Sequence, residues 1–245
     1  MQGTITSYLP EKRYGFIKGK DGKDYFFHDS SFKNDAQIAL LAEEAMVTFE
    51  QQATPKGYKA THCSLLHPTE APGYITPDEF MTSGSESVRG WDIVELGDWI
   101  VHGASRESPN EARRQAIEHA RGLGANALLK LEYYKTTGAE AGTGRGTHRF
   151  TIHNFRGRVA TLAKRHANGD HEWDELTGLN QRARAAEQTQ QLLAQKKRNV
   201  TWKVVLLCSL IALFIHPLFI IMLVGMGFLY NRKKHSDTWL EPILK

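Results

Sequence analysis

Two short N-terminal segments, Lys12–Ile17 and Tyr25–His28, have aromatic rings at every second residue and are flanked by lysines. Successive side chains of a β-strand point to opposite faces, so this pattern predicts two neighbouring strands. Ile17 and Phe27 would supply one face to a core. The opposite, open face would then carry Tyr14, Phe16, Phe26 and His28. Rings in this arrangement suit stacking on the bases of a single-stranded nucleic acid.

A second pattern lies near the C-terminus, where residues 204–230 contain no Asp, Glu, Lys or Arg. About 20 apolar residues span a bilayer as a helix, so the stretch is a predicted transmembrane segment. His216-Pro217 interrupts it, and two interpretations stay open: a single kinked span, or two half-helices that enter and leave on one side. Basic residues flank both ends and do not choose an orientation. Nucleic-acid binding would place the N-terminal domains on the cytoplasmic side of an inner membrane, with residues 231–245 as a tail.

The middle of the chain predicts a small α+β domain over residues 81–165, after a Pro/Gly-containing linker at 67–80. Its expected order is β-β-α-β-β. The first two strands are expected at 91–96 and 98–102, and the last two at 127–135 and 147–164. Ser108, Pro109 and Glu111 form a helix N-terminal signature between them. The glycine-rich stretch 136–146 is predicted to be the loop of a hairpin.

Residues 173–199 predict a juxtamembrane helix, rich in Ala, Gln, Leu and Arg. Several apolar positions approach a heptad pattern, so self-association through this helix is possible. These positions are Leu176, Leu179, Ala183, Ala186 and Leu193.

Charge and cysteine content narrow the function classes. The net charge is +4, but residues 1–66 contain equal numbers of acidic and basic residues, so binding would rely on stacking and a local cluster at Lys12–Lys23.

The two cysteines, Cys63 and Cys208, build no disulfide framework, which agrees with a reducing compartment. No secretory signal peptide is expected. No recognisable nucleophile motif or metal-ligand spacing stands out, so neither an enzyme nor a cofactor is expected.

Residues 1–66 resemble the cold-shock domain family. The resemblance rests on Gly3-Thr4-Ile5, on Tyr14-Gly15-Phe16-Ile17 of the first ribonucleoprotein motif, and on Phe26-Phe27-His28 of the second. It implies a five-stranded β-barrel of the oligonucleotide-binding (OB) type that binds single-stranded RNA or DNA. The contact residues that it implies, with Lys18 near the phosphates, are Tyr8, Lys12, Tyr14, Phe16, Lys18, Phe26 and His28.

Two departures from the family pattern lead to alternative functions. Ser7 stands where the first strand usually has tryptophan, and Asp29 stands where the second motif usually ends in an aromatic residue. Weaker binding is expected for both reasons. One alternative is therefore a membrane-bound scaffold whose barrel contacts a protein. Another is a hydrolytic or ligand-sensing α/β domain that the barrel targets.

Overall fold

The computed structural model describes residues 1–67, 72–141, 146–212 and 239–243. The chain divides into two compact units. The first unit comprises Met1–Glu79, Arg89–Glu95 and Leu162–Thr177. The second unit comprises Phe80–Val88, Leu96–Thr161 and Gly178–Lys245.

The first unit contains the five-stranded barrel that the resemblance of residues 1–66 implies. Its strands are β1 (Gln2–Leu9), β2 (Tyr14–Gly19), β3 (Asp24–His28), β4 (Met46–Thr54) and β5 (Gly57–Leu65). They close in the order β1-β2-β3-β5-β4, with β3 and β5 parallel and the other described pairs antiparallel. A short helix, α1 (Asp35–Ile38), lies between β3 and β4.

The barrel core confirms the alternation in β2 and β3. Ile17, Tyr25 and Phe27 are completely buried. Gly15 lies between two aromatic residues in β2 because the barrel wall is tight there. A Cβ at position 15 would stand 2.3 Å from the Ser7 carbonyl oxygen and 2.7 Å from the Phe27 ring.

A short strand, β6 (Gly73–Ile75), also belongs to the first unit and lies within the predicted linker. It pairs with the end of β10 (Thr147–His166) through Lys164, Arg165 and His166. Residues 68–71 of that linker lie outside the described part of the chain.

The second unit is built on a sheet. Besides β10, this sheet contains β7 (Met81–Thr82), β8 (Asp92–Ser105), β9 (Ala127–Ala141) and β11 (Leu240–Pro242). The strand order is β11-β8-β10-β9-β7. Helix α2 (Pro109–Gly122) packs on this sheet through its small apolar stripe, which includes Ala116 and Ala120.

The prediction for the start of α2 is confirmed. The Ser108 hydroxyl accepts a hydrogen bond from the Glu111 amide over 3.2 Å, and Pro109 occupies the first turn. Gly124 has a φ of +77°, which suits the position just after the helix.

Two predicted details of the central domain are wrong. The strands expected at 91–96 and 98–102 are one continuous strand, β8. Gly97 does not form a turn; it lies where Val159 packs closely against the β8 backbone. A Cβ there would lie 2.4 Å from Val159 Cγ2. The expected loop at 136–146 is also too long, since β9 continues to Ala141 and pairs with β10. Positions 142–145 lie outside the described residues.

The predicted juxtamembrane helix begins later than expected. Residues 173–176 form a 3-10 turn, and Gly178 has a left-handed φ of +87°. Helix α3 (Leu179–Ala212) follows and continues past position 199. Leu179 and Ala183, two of the heptad-like positions, are buried in the second unit's core, so they are not exposed for self-association.

The structure places no helix able to cross a bilayer within the part of the chain that it describes. Positions 213–230 of the predicted transmembrane segment lie outside that part, as do 231–238 and 244–245 of the predicted tail.

Candidate nucleic-acid interface

The predicted contact residues of β2 and β3 lie on one side of the barrel wall. Phe16 is the register partner of Phe26, and Tyr14 is the register partner of His28. Directly paired residues of antiparallel strands project from the same face, so the register brings these four side chains together. We call this surface the aromatic face: Tyr14, Phe16, Phe26 and His28.

Three rings of the aromatic face touch one another at angles that leave open ring surface. The Tyr14 and Phe26 centroids are 5.6 Å apart at 35°. Phe16 meets Phe26 at 5.9 Å and 73°. Phe16 is 41% exposed, although phenylalanine is among the residue types that are most often buried. Burial of Ile17 and Phe27 on the inner side leaves these rings available to a ligand.

The cations around the aromatic face are partly neutralised. Lys18 Nζ lies 3.0 Å from Asp24 Oδ1, and both side chains are exposed. Lys23 Nζ lies 3.9 Å from Asp21 Oδ2 and 4.6 Å from the Tyr58 ring centroid. Lys12 is exposed at the end of a 3-10 turn before β2. The local field for phosphates is therefore modest.

Arg13 forms an ion pair with the buried carboxylate of Asp29. Its Nε donates to Asp29 Oδ2 over 2.6 Å, and Asp29 is only 2% exposed. The hydrogen bond and charge of Arg13 lower the pKa of the Asp29 carboxyl. Asp29 thus keeps its charge just after β3, beside His28.

Tyr8 lies on the other side of the wall from the aromatic face. It pairs with Gly15 in the β1–β2 register and stacks on buried Phe27, with centroids 5.9 Å apart at 17°. Desolvation is the main cause that raises the pKa of its phenol. Its predicted contact with nucleic acid stays a prediction.

The register also shows which side chains border the aromatic face. Ser7 is the partner of Phe16 on β1, and Lys59 is the partner of Phe26 on β5. Lys59 was not predicted, because the parallel pairing of β3 with β5 joins distant parts of the chain. Two further rings of the barrel differ in exposure, since Tyr58 is exposed and Phe32 is buried in the core.

The histidines of the second unit have local partners. His153 Nδ1 lies 2.7 Å from the Tyr133 hydroxyl, and His119 Nδ1 lies 2.8 Å from the His102 carbonyl oxygen. His148 is exposed on β10. Among the described residues, no group of three or more His, Cys, Asp or Glu side chains has the geometry to hold a metal ion.

Comparison with known proteins gives one consistent result for the N-terminal region. Residues 1–66 match the model of the 'Cold-shock' DNA-binding domain. Cold shock protein 1 of Lactiplantibacillus plantarum is 37% identical over 60 residues, which are 24% of this chain and 89% of that protein. Cold shock-like protein CspI of Escherichia coli K12 is 40% identical over 67 residues, 27% of this chain and 94% of that protein.

Proposed function

We propose that this chain, which belongs to the cold-shock domain family through residues 1–66, binds single-stranded RNA or DNA on the aromatic face. The observation that carries the proposal is the cluster of exposed and half-buried rings on β2 and β3. Each base stacked on such a ring contributes about 1 to 3 kcal/mol, with little preference for sequence.

Phosphate contacts would add a smaller electrostatic contribution. Lys12 and Lys18 are the side chains that we assign to the phosphates, and Lys59 lies beside Phe26. Because Lys18 is already paired with Asp24, it releases fewer counterions than a free lysine would. Binding should therefore depend weakly on salt and mainly on stacking.

Fluorescence anisotropy of the full chain with short labelled RNA and DNA strands tests the proposal. We expect Phe16→Ala and Phe26→Ala each to weaken binding by roughly tenfold or more, because each removes a stacking platform. Both side chains lie outside the core, so the barrel should remain folded.

Tyr134→Ala is the matched control, since it removes an exposed ring of the second unit. Its affinity should stay within about twofold of the parent. Absence of binding by the parent chain at low salt would reject the proposal and favour a protein partner for the barrel.

Residues 204–230 support a second part of the proposal, that the chain is held at a membrane with its N-terminal domains on the cytoplasmic side. The support is the absence of charged side chains over that sequence. Extraction of membranes with alkaline carbonate tests it. The full chain should stay in the pellet, and a chain ending at residue 198 should not. Equal release of both would reject the anchor.

The proposed activity requires no catalysis, because stacking and charge pairing are equilibrium interactions. In the second unit, the described histidine partners include Tyr133 for His153, a backbone carbonyl for His119 and the Glu241 carboxylate for His102. We propose a binding function for the chain, without an enzymatic activity.

A further inference from the structure

Strands β9 and β10 form a long antiparallel hairpin in the second unit, and its two faces differ in chemistry. Phe155 pairs with Tyr133, His153 with Lys135, and Arg149 with Ala139. Paired residues share a face, so these side chains lie together. We define the hairpin basic face by six of its members: Tyr133, Lys135, Arg149, Thr151, His153 and Phe155.

Rings form a continuous row at the base of the hairpin basic face. Tyr133 stacks on His153 with an interplanar angle of 14° and a centroid distance of 6.0 Å. It also contacts Phe155 at 5.1 Å, and Phe155 packs against the second unit's core. Tyr133 is nevertheless 41% exposed. Packing of Phe155 against the core therefore fixes the row of rings, and the exposed part of Tyr133 is accessible to a ligand.

The charges on the hairpin basic face are all positive. Lys135 and Arg149 are exposed, and within the described chain neither has an ion pair. The register places no Asp or Glu among the described β9 and β10 residues on this face beyond Tyr133 and Phe155. Thr151 adds a hydroxyl between the two cations.

The opposite face of the same hairpin is neutralised. Arg156 Nη2 lies 2.8 Å from Glu132 Oε2. Arg106, which follows β8, has its Nη1 atom 3.1 Å from Glu140 Oε2 and its guanidinium 3.6 Å from the centroid of the Phe150 ring. Cations and carboxylates are paired on this face, so the unpaired positive charge belongs to one side only.

We propose that the hairpin basic face is a second binding site for single-stranded nucleic acid, separate from the barrel. Exposed Tyr133, with the half-buried rings of His153 and Phe155, offers a stacking surface, and Lys135 and Arg149 offer phosphate contacts. A protein partner is less well matched, because the cores of protein interfaces are depleted of charged residues, and neither Lys135 nor Arg149 has an ion pair within the described chain. From Phe155 to Arg149 the strand extends about 20 Å, enough for several nucleotides.

Anisotropy with the full chain carrying Phe16→Ala and Phe26→Ala isolates this site from the barrel. In that background, residual binding of a labelled single strand should be measurable at low salt. Tyr133→Ala should weaken it by roughly tenfold. Lys135→Gln with Arg149→Gln should weaken it and lower the slope of log K against log salt by about 1.4, the loss of two contacts to a single strand.

Arg106→Gln with Arg156→Gln is the matched control, because it also removes two positive charges, both of them in contact with the opposite face of the hairpin. This variant should keep the residual affinity and the salt slope. If both double variants lost the same amount of residual affinity, net charge alone would explain the effect, and the assignment of the site would be overturned. Binding to anionic vesicles without binding to the single strand would overturn it in favour of a lipid surface.

Ultraviolet crosslinking of the parent chain to a single strand provides a measurement that needs no variant. Crosslinked peptides should include Tyr133 or Phe155 as well as the barrel strands. Crosslinks confined to β2 and β3 would reject the second site while leaving the barrel site intact. Crosslinks confined to β9 and β10 would do the reverse.

Discussion

Arg13 Nε donates to Asp29 Oδ2 across 2.6 Å and holds a buried carboxylate where the second ribonucleoprotein motif usually has a ring. The contact lowers the pKa of Asp29 below its usual range. A carboxyl with a lowered pKa in the folded state stabilises that state above its unfolded pKa of about 3.9. The stabilisation is lost as pH falls through the folded pKa.

Asp29→Asn should therefore make the barrel less stable at pH 7 and flatten its response to acid. The parent should lose stability steeply from about pH 4 downwards, where the unfolded chain takes up the proton first. The measurement is thermal unfolding by circular dichroism between pH 7 and pH 2.5.

Asp78→Asn provides the control, since Asp78 is exposed and has no ion pair within the described chain. Its acid profile should follow the parent. A parent and an Asp29→Asn variant that lose stability in parallel below pH 4 would contradict the role of the Arg13 contact.

Local patterns predicted strands β2 and β3 well, whereas the five-stranded barrel was implied by the resemblance to the cold-shock domain family. Alternation in β2 and β3 requires only neighbouring residues, and it identified buried Ile17 and Phe27 as well as exposed Phe16. The Ser108 cap is equally local, because its partner Glu111 is three residues away. In both cases the physical interaction and the sequence pattern have the same short range.

Features that depend on distant residues were missed. Gly97 looked like a strand boundary, but it is the point where Val159 approaches the backbone. Lys59 borders the aromatic face only because β5 pairs in parallel with β3. Nothing in the residues around either position specifies those distant partners.

Gly15→Ala should destabilise the barrel by about 1 to 3 kcal/mol, the usual effect of overpacking. The added Cβ would meet the Ser7 carbonyl oxygen and the Phe27 ring, and both belong to the barrel wall or core. Hydrogen–deuterium exchange of the β2 and β3 peptides measures the effect within the first unit.

Gly84→Ala is the control, because a Cβ at position 84 has no atom within 4 Å. Exchange in β2 and β3 should be unchanged in that variant. Unaltered exchange in Gly15→Ala as well would show that the wall can expand at this point.

Cys63 should be almost unreactive in the folded chain. Burial raises the pKa of its thiol to about 12, and the thiolate is the nucleophile. In a Cys208→Ser background, maleimide labelling at pH 8 should be slower than in urea by about a hundredfold or more. Labelling at comparable rates in the two conditions would mean that β5 opens readily.

Ser7→Trp should strengthen binding of single-stranded nucleic acid. Ser7 is the register partner of Phe16, so a ring at position 7 would extend the aromatic face onto β1. One more stacked base contributes about 1 to 3 kcal/mol, which corresponds to roughly tenfold in affinity. Anisotropy with the full chain and a short labelled strand measures the change.

Ser7→Leu separates stacking from simple apolar bulk at the same position. Leucine has no flat π-face, so its effect on affinity should stay within about twofold. A gain for tryptophan alone would show that bases stack beside Phe16 on β1. Equal gains for both variants would point to a protein or other apolar ligand, and no gain for either would place the bound strand away from β1.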